Sequence, residues 1–285
     1  MPTFGQSKSA LITLLACAMS LFHIWTGLMG VFPVPIQTGV HLAFTLALVL
    51  LVSPSQPPWA GASGRAAAIA YDLVVTAAAL MPLAWRIANL EYLATGRFEF
   101  VTPATPLEIV LGIAFVLAVL DLCRRQTGWA LVLIVVVALV SPFVPGLPGP
   151  FAHRGYTISQ QVDAQYLTLA GIFSIPLTAS AEYIALFIVF GAFLERSGLG
   201  KFMMDFAIGL VGAYRGGPAK VAVISSAMTG TISGSAPANV LTAGVITIPL
   251  MIRLGYPPYM AGAIEAAAST GGVIMPPVMG TVAFI

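Results

Sequence analysis

Long apolar runs separated by short polar or charged turns dominate this chain, and their lengths set its architecture. Residues 11–31, 40–52, 69–90, 107–123 and 129–144 are the first five runs, the second short and able to begin near Ile36. A sixth, 180–194, is led in by 166–177 across Pro176. A helix needs about 20 apolar residues to cross the ~30 Å hydrocarbon layer, so these runs predict membrane-spanning helices. Residues 201–214 read as an interfacial connector, and a last helix begins near Tyr259.

Between that connector and the last helix the pattern changes. Arg215 and Lys220 precede an apolar stretch that Arg253 closes, and small polar residues occupy its middle: Gly230-Thr-Ile-Ser-Gly-Ser-Ala-Pro-Ala-Asn239. At about 30 residues the stretch is too short for two crossings and too long for one simple helix. A hairpin that dips in and returns to the same side fits, with limbs 218–232 and 237–251. Each limb of about 15 residues reaches about 22 Å, so the tip at Ser233, Gly234, Ser235 and Ala236 falls inside the membrane. Irregular backbone at that depth is tolerated only where it is buried in protein or lines a cavity.

The first limb ends at the tip with free carbonyls and the second starts there with free N–H groups. One tip therefore offers oxygens to a cation and N–H groups to an anion. Pro237 suits a first helical turn, where its missing N–H has no partner in any case. Asn239, one turn further in, adds an amide. The same small residues also suit a helix-packing motif, and spacing alone leaves both readings open.

A second interruption lies in the last helix, where Thr270, Gly271 and Gly272 are followed by Pro276 and Pro277. Two glycines and two prolines break a helix. Two broken helices close in sequence are the usual pointer to a secondary transporter's binding site. Glu265 precedes the break by about one turn. A carboxylate at a helix centre costs about 2.5–3.5 kcal/mol on insertion scales, so it faces a cavity or a partner. The competing placement puts Glu265 near the cytoplasmic interface, paired with Arg253.

Composition agrees with the pattern. The chain is 59% hydrophobic and 8% charged, with a mean hydropathy of +0.97, far from the roughly 25% charged residues of a soluble domain. These features define an all-α integral membrane protein: a multi-span bundle with a re-entrant helical hairpin and a broken transmembrane helix. A net charge of +2 without a basic run excludes a nucleic-acid partner and leaves the lipid bilayer as the surroundings. Cys17 and Cys123 both fall in apolar runs and read as small membrane-buried side chains, not a disulfide or a metal site. His23, His41 and His153 are scattered without metal-ligand spacing, so no metal centre is expected. Gly230-Thr-Ile-Ser-Gly234 does not match the nucleophile-elbow pattern, and no nucleophile–base pair marks an enzyme.

Orientation follows from the basic residues. With a cytoplasmic N-terminus, Lys8, Arg65, Arg124, Arg125, Arg196, Lys201, Arg215, Lys220 and Arg253 lie inside, against Arg86, Arg97 and Arg154 outside. That bias obeys the positive-inside rule, provided the glycine-serine segment re-enters. Residues 1–125 hold four runs, and the Asp121-Leu-Cys-Arg-Arg-Gln126 turn separates them from 126–285, where glycine, serine and threonine increase within apolar sequence.

Phe190-Gly-Ala-Phe-Leu-Glu-Arg-Ser-Gly198, Arg215-Gly-Gly-Pro-Ala-Lys-Val221, Gly230-Thr-Ile-Ser-Gly-Ser-Ala236 and Ile248-Pro-Leu-Met251 form a recognisable series. Leu254-Gly-Tyr-Pro-Pro258, Glu265-Ala-Ala-Ala-Ser-Thr-Gly-Gly272 and Met275-Pro-Pro-Val-Met-Gly280 continue it. The series resembles the fused permease of tripartite ATP-independent periplasmic (TRAP) transporters of the TAXI type, which joins a small four-helix subunit to a large twelve-helix one. The likeness is specific from about His153 onward and rests on span count before that. It implies an elevator-type secondary transporter in the bacterial inner membrane. In such a system sodium flow drives uptake of an organic acid delivered by a periplasmic substrate-binding protein. Residues 1–125 would correspond to the small subunit and 126–285 to the first half of the large one. The resemblance places a coupling sodium ion, and the substrate carboxylate close by, at Ser233, Gly234, Ser235 and Asn239 with Thr270, Gly271 and Gly272; it implies no other cofactor. The family's large subunit holds two inverted halves, whereas this sequence stops at Ile285 after the first broken helix. That sets the expectation of a fragment, with a non-transporting membrane scaffold or assembly subunit as the alternative function.

Overall fold

A computed structural model describes residues 4–55, 62–146, 155–233 and 236–274, and every described element is helical. Among the described residues five helical segments are long and apolar enough to cross a membrane: Lys8–Met29, Val34–Val52, Ala66–Ala88, Pro106–Thr127 and Ile175–Leu194. The first four belong to helices α1 (Phe4–Met29), α2 (Val34–Val52), α3 (Ala62–Ala88) and α5 (Pro106–Thr127), with the short α4 (Leu90–Thr95) between the last two. Leu14, Leu21 and Leu28 recur at heptad spacing along α1 and are all more than 60% exposed, which gives that helix a lipid-facing stripe.

The expected span at 129–144 is shorter than the pattern suggested. Helix α6 covers Trp129–Val140 and gives way to a 3-10 turn, Ser141–Phe143. Pro142 has no N–H to give the carbonyl of Ala138, and the hydroxyl of Ser141 donates to that carbonyl instead at 2.9 Å. Twelve helical residues rise only about 18 Å, well short of the hydrocarbon layer.

The chain forms two compact units, Met1–Ala181 and Glu182–Ile285. In the first, Leu83, Leu111, Phe115, Tyr166 and Phe173 make a closed apolar core between α3, α5 and the segment after α6. That segment comprises α7 (Ile158–Val162), a π-helical turn (Asp163–Leu167) and α8 (Ile175–Ala179). Phe115 stacks on Phe173 with ring centroids 5.7 Å apart, and the Tyr166 hydroxyl donates to Pro82 O at 2.8 Å. A Cβ at Gly112 would lie 2.6 Å from a methyl of Val162, so only glycine lets α5 approach α7 this closely. The first unit thus runs beyond the turn at 121–126, because α5 stays packed against residues that follow it in sequence.

Helix α5 shows how sequence fixes its own boundaries. Thr105 and Glu108 form a reciprocal capping box at its start, Pro106 occupies the first turn, and Gly128, at φ 82°, ends it. Arg124 and Arg125 sit in the last turn, where the helix dipole favours cations. Arg125 reaches Asp121 and Asp72, each at 2.7 Å, which joins α5 to α3.

The second unit holds α9 (Ala185–Arg196), α10 (Leu199–Val211), α11 (Gly217–Ser233), α12 (Ala236–Arg253) and α13 (Pro258–Gly271). Gly198, in the left-handed region at φ 88°, separates α9 from α10. The expected connector at 201–214 is this amphipathic helix: Met204 and Ala207 are buried while Phe202 and Phe206 are exposed. Met204 and Ala207 close a small core with Val221 and Ala243, and Met251 packs with Ala222 and Ala261.

Candidate functional site

Helices α11 and α12 are the two limbs of the expected hairpin, somewhat longer than the pattern suggested at 17 and 18 residues. They lie antiparallel: Asn239, on the second limb, donates from Nδ2 to the carbonyl of Ser226, on the first, at 2.8 Å. Helix α13 runs parallel to α11 and antiparallel to α12, since Ser226 faces Glu265 and Ser269 while Thr247 also faces Glu265. The expected break in the last helix is a change from α to 3-10 geometry at Gly272–Ile274.

Each of the three helices carries one polar stripe at turn spacing. Ser226 and Gly230 stand four residues apart on α11, Asn239 and Thr247 eight apart on α12, and Glu265 and Ser269 four apart on α13. Packing turns the three stripes toward each other, so Ser226, Asn239, Thr247, Glu265 and Ser269 are all fully buried. A buried polar group must find a partner. Glu265 finds three: Ser226 donates to its Oε1 at 2.9 Å, Ser269 donates to the same oxygen at 3.0 Å, and Thr247 donates to Oε2. The carboxylate therefore lies inside the helix bundle and not at the interface beside Arg253, which is exposed. Among the described residues it forms no ion pair with any cation.

Above this carboxylate the helices come into backbone contact. A Cβ on Gly230 would overlap the backbone of Gly272, and a Cβ on Gly272 would come within 2.6 Å of Asn239 Nδ2. The two glycines therefore let the first limb and the broken helix touch beside the Asn239 amide. The amide spends its Nδ2 on Ser226 O and leaves Oδ1 buried, with no donor reaching it among the described residues. A fully desolvated amide oxygen without a donor is costly, and it is the type of hard oxygen that coordinates sodium.

The residues expected at the site divide accordingly. The structure brings Asn239 and Gly272 together, with Gly230 and Ser226 beside them. Gly271 is half-buried one residue before the change in helix geometry. Thr270 is exposed, and its hydroxyl is spent on Ala266 O at 2.7 Å, so its side chain is not turned to Asn239. The turn that aims residue 269 into the core carries residue 270 about 100° around the helix, away from it. Ser233 is the last residue of α11, and Pro237 is exposed in the first turn of α12. Gly234, Ser235, Pro276 and Pro277 lie outside the described residues. Sequence reasoning did not find Ser226, Thr247 and Ser269. Their i, i+4 and i+8 spacing from Gly230, Glu265 and Asn239 was the available signal.

In the first unit, two residues that looked unrelated are paired. His23 and His41 are 18 apart in sequence, yet His23 Nε2 and His41 Nδ1 lie 2.9 Å apart. His23 Nδ1 faces Met19 O at 2.7 Å and must carry its proton there, so its Nε2 accepts from His41 Nδ1–H. His41 Nε2 then accepts from Ser180 at 3.2 Å. Among the described residues no group of three or more His, Cys, Asp or Glu side chains is placed to hold a metal. Cys17 and Cys123 are free thiols, Cys17 exposed on the surface of α1 and Cys123 half-buried.

A bundle of apolar helices, one pair folded as a hairpin against a helix that changes geometry at Gly272, defines a multi-pass membrane protein of the permease kind. The sequence matches the family described as "Tripartite ATP-independent periplasmic transporter, DctM component" over residues 114–285, and the chain belongs to that family of transporter permeases. The C4-dicarboxylate TRAP transporter large permease protein DctM of Pseudomonas aeruginosa is 39% identical over 94 residues, 33% of this chain and 22% of that protein. The isethionate TRAP transporter permease protein DctMQ of Oleidesulfovibrio alaskensis is 37% identical over 111 residues, 39% of this chain and 17% of that protein. A putative TRAP transporter large permease protein of Haemophilus influenzae is 28% identical over 151 residues, 51% of this chain and 35% of that protein. The matched part of this chain thus spans about a third or less of the length of these relatives. No solved structure matches the chain.

Proposed function

We propose that this chain is part of a sodium-coupled TRAP permease of the TAXI type, which imports an organic carboxylate handed over by a periplasmic substrate-binding protein. The observation that carries this reading is Asn239 Oδ1, a buried acceptor without a donor among the described residues, beside the Gly230–Gly272 backbone contact. A sodium ion taken up as co-substrate would be held by that oxygen with carbonyls and hydroxyls of Ser233, Gly234 and Ser235. On the far side, the backbone of Thr270, Gly271 and Gly272 would contribute. The first limb ends toward this point with its carbonyls and the second begins there with its N–H groups. The same tip therefore suits a cation and, one step away, the carboxylate of the substrate. Residues 1–125 would brace the moving part as the small subunit does in fused permeases. The likeness to bacterial permeases favours the inner membrane as the setting, and the basic residues favour a cytoplasmic N-terminus.

The test is uptake by the complete permease with its binding protein in sealed vesicles, driven by an imposed sodium gradient. Wild-type uptake is expected to require sodium, and Ser233→Leu, Ser235→Leu and Asn239→Leu to abolish it. Uptake that ignores sodium, or sodium dependence unchanged in all three variants, would overturn the assignment.

A further inference from the structure

Glu265 is buried among hydroxyls, and among the described residues its side chain bonds to Ser226, Thr247 and Ser269, none of which is assigned to the ion. Its Oε1 accepts hydrogen bonds from Ser226 and Ser269, and its Oε2 accepts one from Thr247, so one carboxylate ties α11, α12 and α13 together at a single level. The path from there to the ion site is short. Ser226 is gripped through its hydroxyl by Glu265 and through its carbonyl by Asn239 Nδ2. That second bond fixes the rotation of the Asn239 amide and decides where its free Oδ1 points. Gly244 packs beside Glu265, where an added Cβ would meet Cγ at 3.0 Å, so the side chain has no slack in which to swing.

From this we infer that Glu265 is a positioning residue for the ion site. It acts through Ser226 on the orientation of Asn239, as a hydrogen-bond acceptor for the surrounding hydroxyls and not as a charge sensed by the ion. The inference rests on the proposed sodium reading. Outer partners of metal ligands are typically worth a 10- to 100-fold change in affinity when removed.

The distinction between positioning and charge makes a sharp demand. Thr247 Oγ lies 3.1 Å from Ala243 O as well as against Glu265. A glutamine at 265 would keep an oxygen acceptor for Ser226 and Ser269. It would also give an N–H to Thr247, whose own proton would turn to Ala243 O. Every polar group stays satisfied without the charge. An alanine removes both acceptors and leaves three buried hydroxyls without their partner.

The experiment uses the full permease in lipid nanodiscs and reads thermal unfolding against sodium chloride, with choline chloride as control. Glu265→Ala is expected to raise the sodium concentration at half-maximal stabilisation by about 10- to 100-fold, and Glu265→Gln by less than about threefold. Ser226→Ala, which cuts the same path outside the carboxylate, is expected to behave like Glu265→Ala and carries the test if that variant does not fold. Equal losses in the glutamine and alanine variants would overturn the inference in favour of a charge directly sensed by the ion. Unchanged sodium response in both Glu265→Ala and Ser226→Ala would overturn it as well. A second arm needs no sodium: the double-mutant cycle of Glu265→Ala with Asn239→Ala on unfolding in choline chloride. Non-additive effects support the path through Ser226 even if the wild type shows no sodium response, a result that would sink the sodium reading alone; additive effects overturn the path.

Discussion

Arg97 and Asp163 lie 3.1 Å apart with their side chains 2% and 3% exposed, a charge pair drawn almost wholly into the first unit. Asp163 is shared. Its Oδ2 also accepts from the backbone N–H of Phe100 at 2.6 Å, and Phe100 is held in the left-handed region at φ 60°. Arg97 in turn donates to Thr102 O at 2.9 Å, so the pair pins the loop between α4 and α5 to the π-helical turn after α7. Removing one member of a buried pair leaves the other charge without compensation, at about 3–5 kcal/mol. Asp163→Ala is therefore expected to destabilise the protein by that amount, read by denaturant unfolding in detergent. A loss below about 1 kcal/mol, the range of exposed pairs, would show that water reaches the pair.

A second expectation concerns the contact between the first limb and the broken helix. Gly230→Ala places a methyl into the backbone of Gly272, where no flexible side chain can yield. Overpacking of this kind costs about 1–3 kcal/mol. The variant should unfold earlier and, on the proposed sodium reading, respond to sodium more weakly. Gly262→Ala, on α13, is the control, since nothing lies within 4 Å of the added carbon. If the two alanine variants unfold alike, the close approach is not a feature of the folded protein.

The histidine pair gives a non-additive prediction. In His41→Phe, the buried Nε2 of His23 loses its donor, and an unsatisfied buried group costs about 1–3 kcal/mol. Replacing His23 and His41 together removes both polar groups. The double variant should therefore be less damaged than the sum of the two single ones, a difference measurable in a thermal-unfolding cycle. Strict additivity would mean that the two rings do not bond to each other.

The two arginines at the end of α5 should differ although they are neighbours in sequence. Arg124 is 33% exposed and among the described residues forms an ion pair with Asp121 and lies over the Trp129 ring, whereas Arg125 is 6% exposed and bridges Asp121 to Asp72. Exposed pairs contribute up to about 1 kcal/mol, so Arg124→Met should be nearly silent. Arg125→Met leaves Asp72 without its cation and should cost more in the same unfolding assay. The opposite ranking would contradict the bridge.

Much of the fold was legible because a lipid-facing helix needs only length and apolarity, which α1, α2, α3 and α5 display directly. Helix α6 was misjudged because Pro142 ends it from within an otherwise uniform apolar run. The hairpin showed itself through Gly230 and Asn239, and Glu265 stood out as a carboxylate in apolar sequence. Ser226 and Thr247 did not stand out, because a serine or threonine in an apolar helix can return its hydroxyl to its own backbone. Only the packing of α11 and α12 on α13 gives these two a carboxylate to serve. The pairing of His23 with His41 was invisible for a similar reason: it depends on how α1 lies on α2, and neither helix encodes that alone.

The polar cluster also bears on how the second unit comes into being. Ser226, Asn239, Thr247, Glu265 and Ser269 come from three consecutive helices joined by short connections, so bringing them together closes only small loops. Contacts of that kind form early and fast. Hydroxyls and a carboxylate entering a bilayer singly would each have to find water or lipid headgroups. As neighbours on a hairpin and the helix after it, they can satisfy one another as soon as α13 reaches its place. This buried polar cluster is thus built from segments that meet easily. Substitutions there should lower the yield of inserted protein as well as the stability of what inserts.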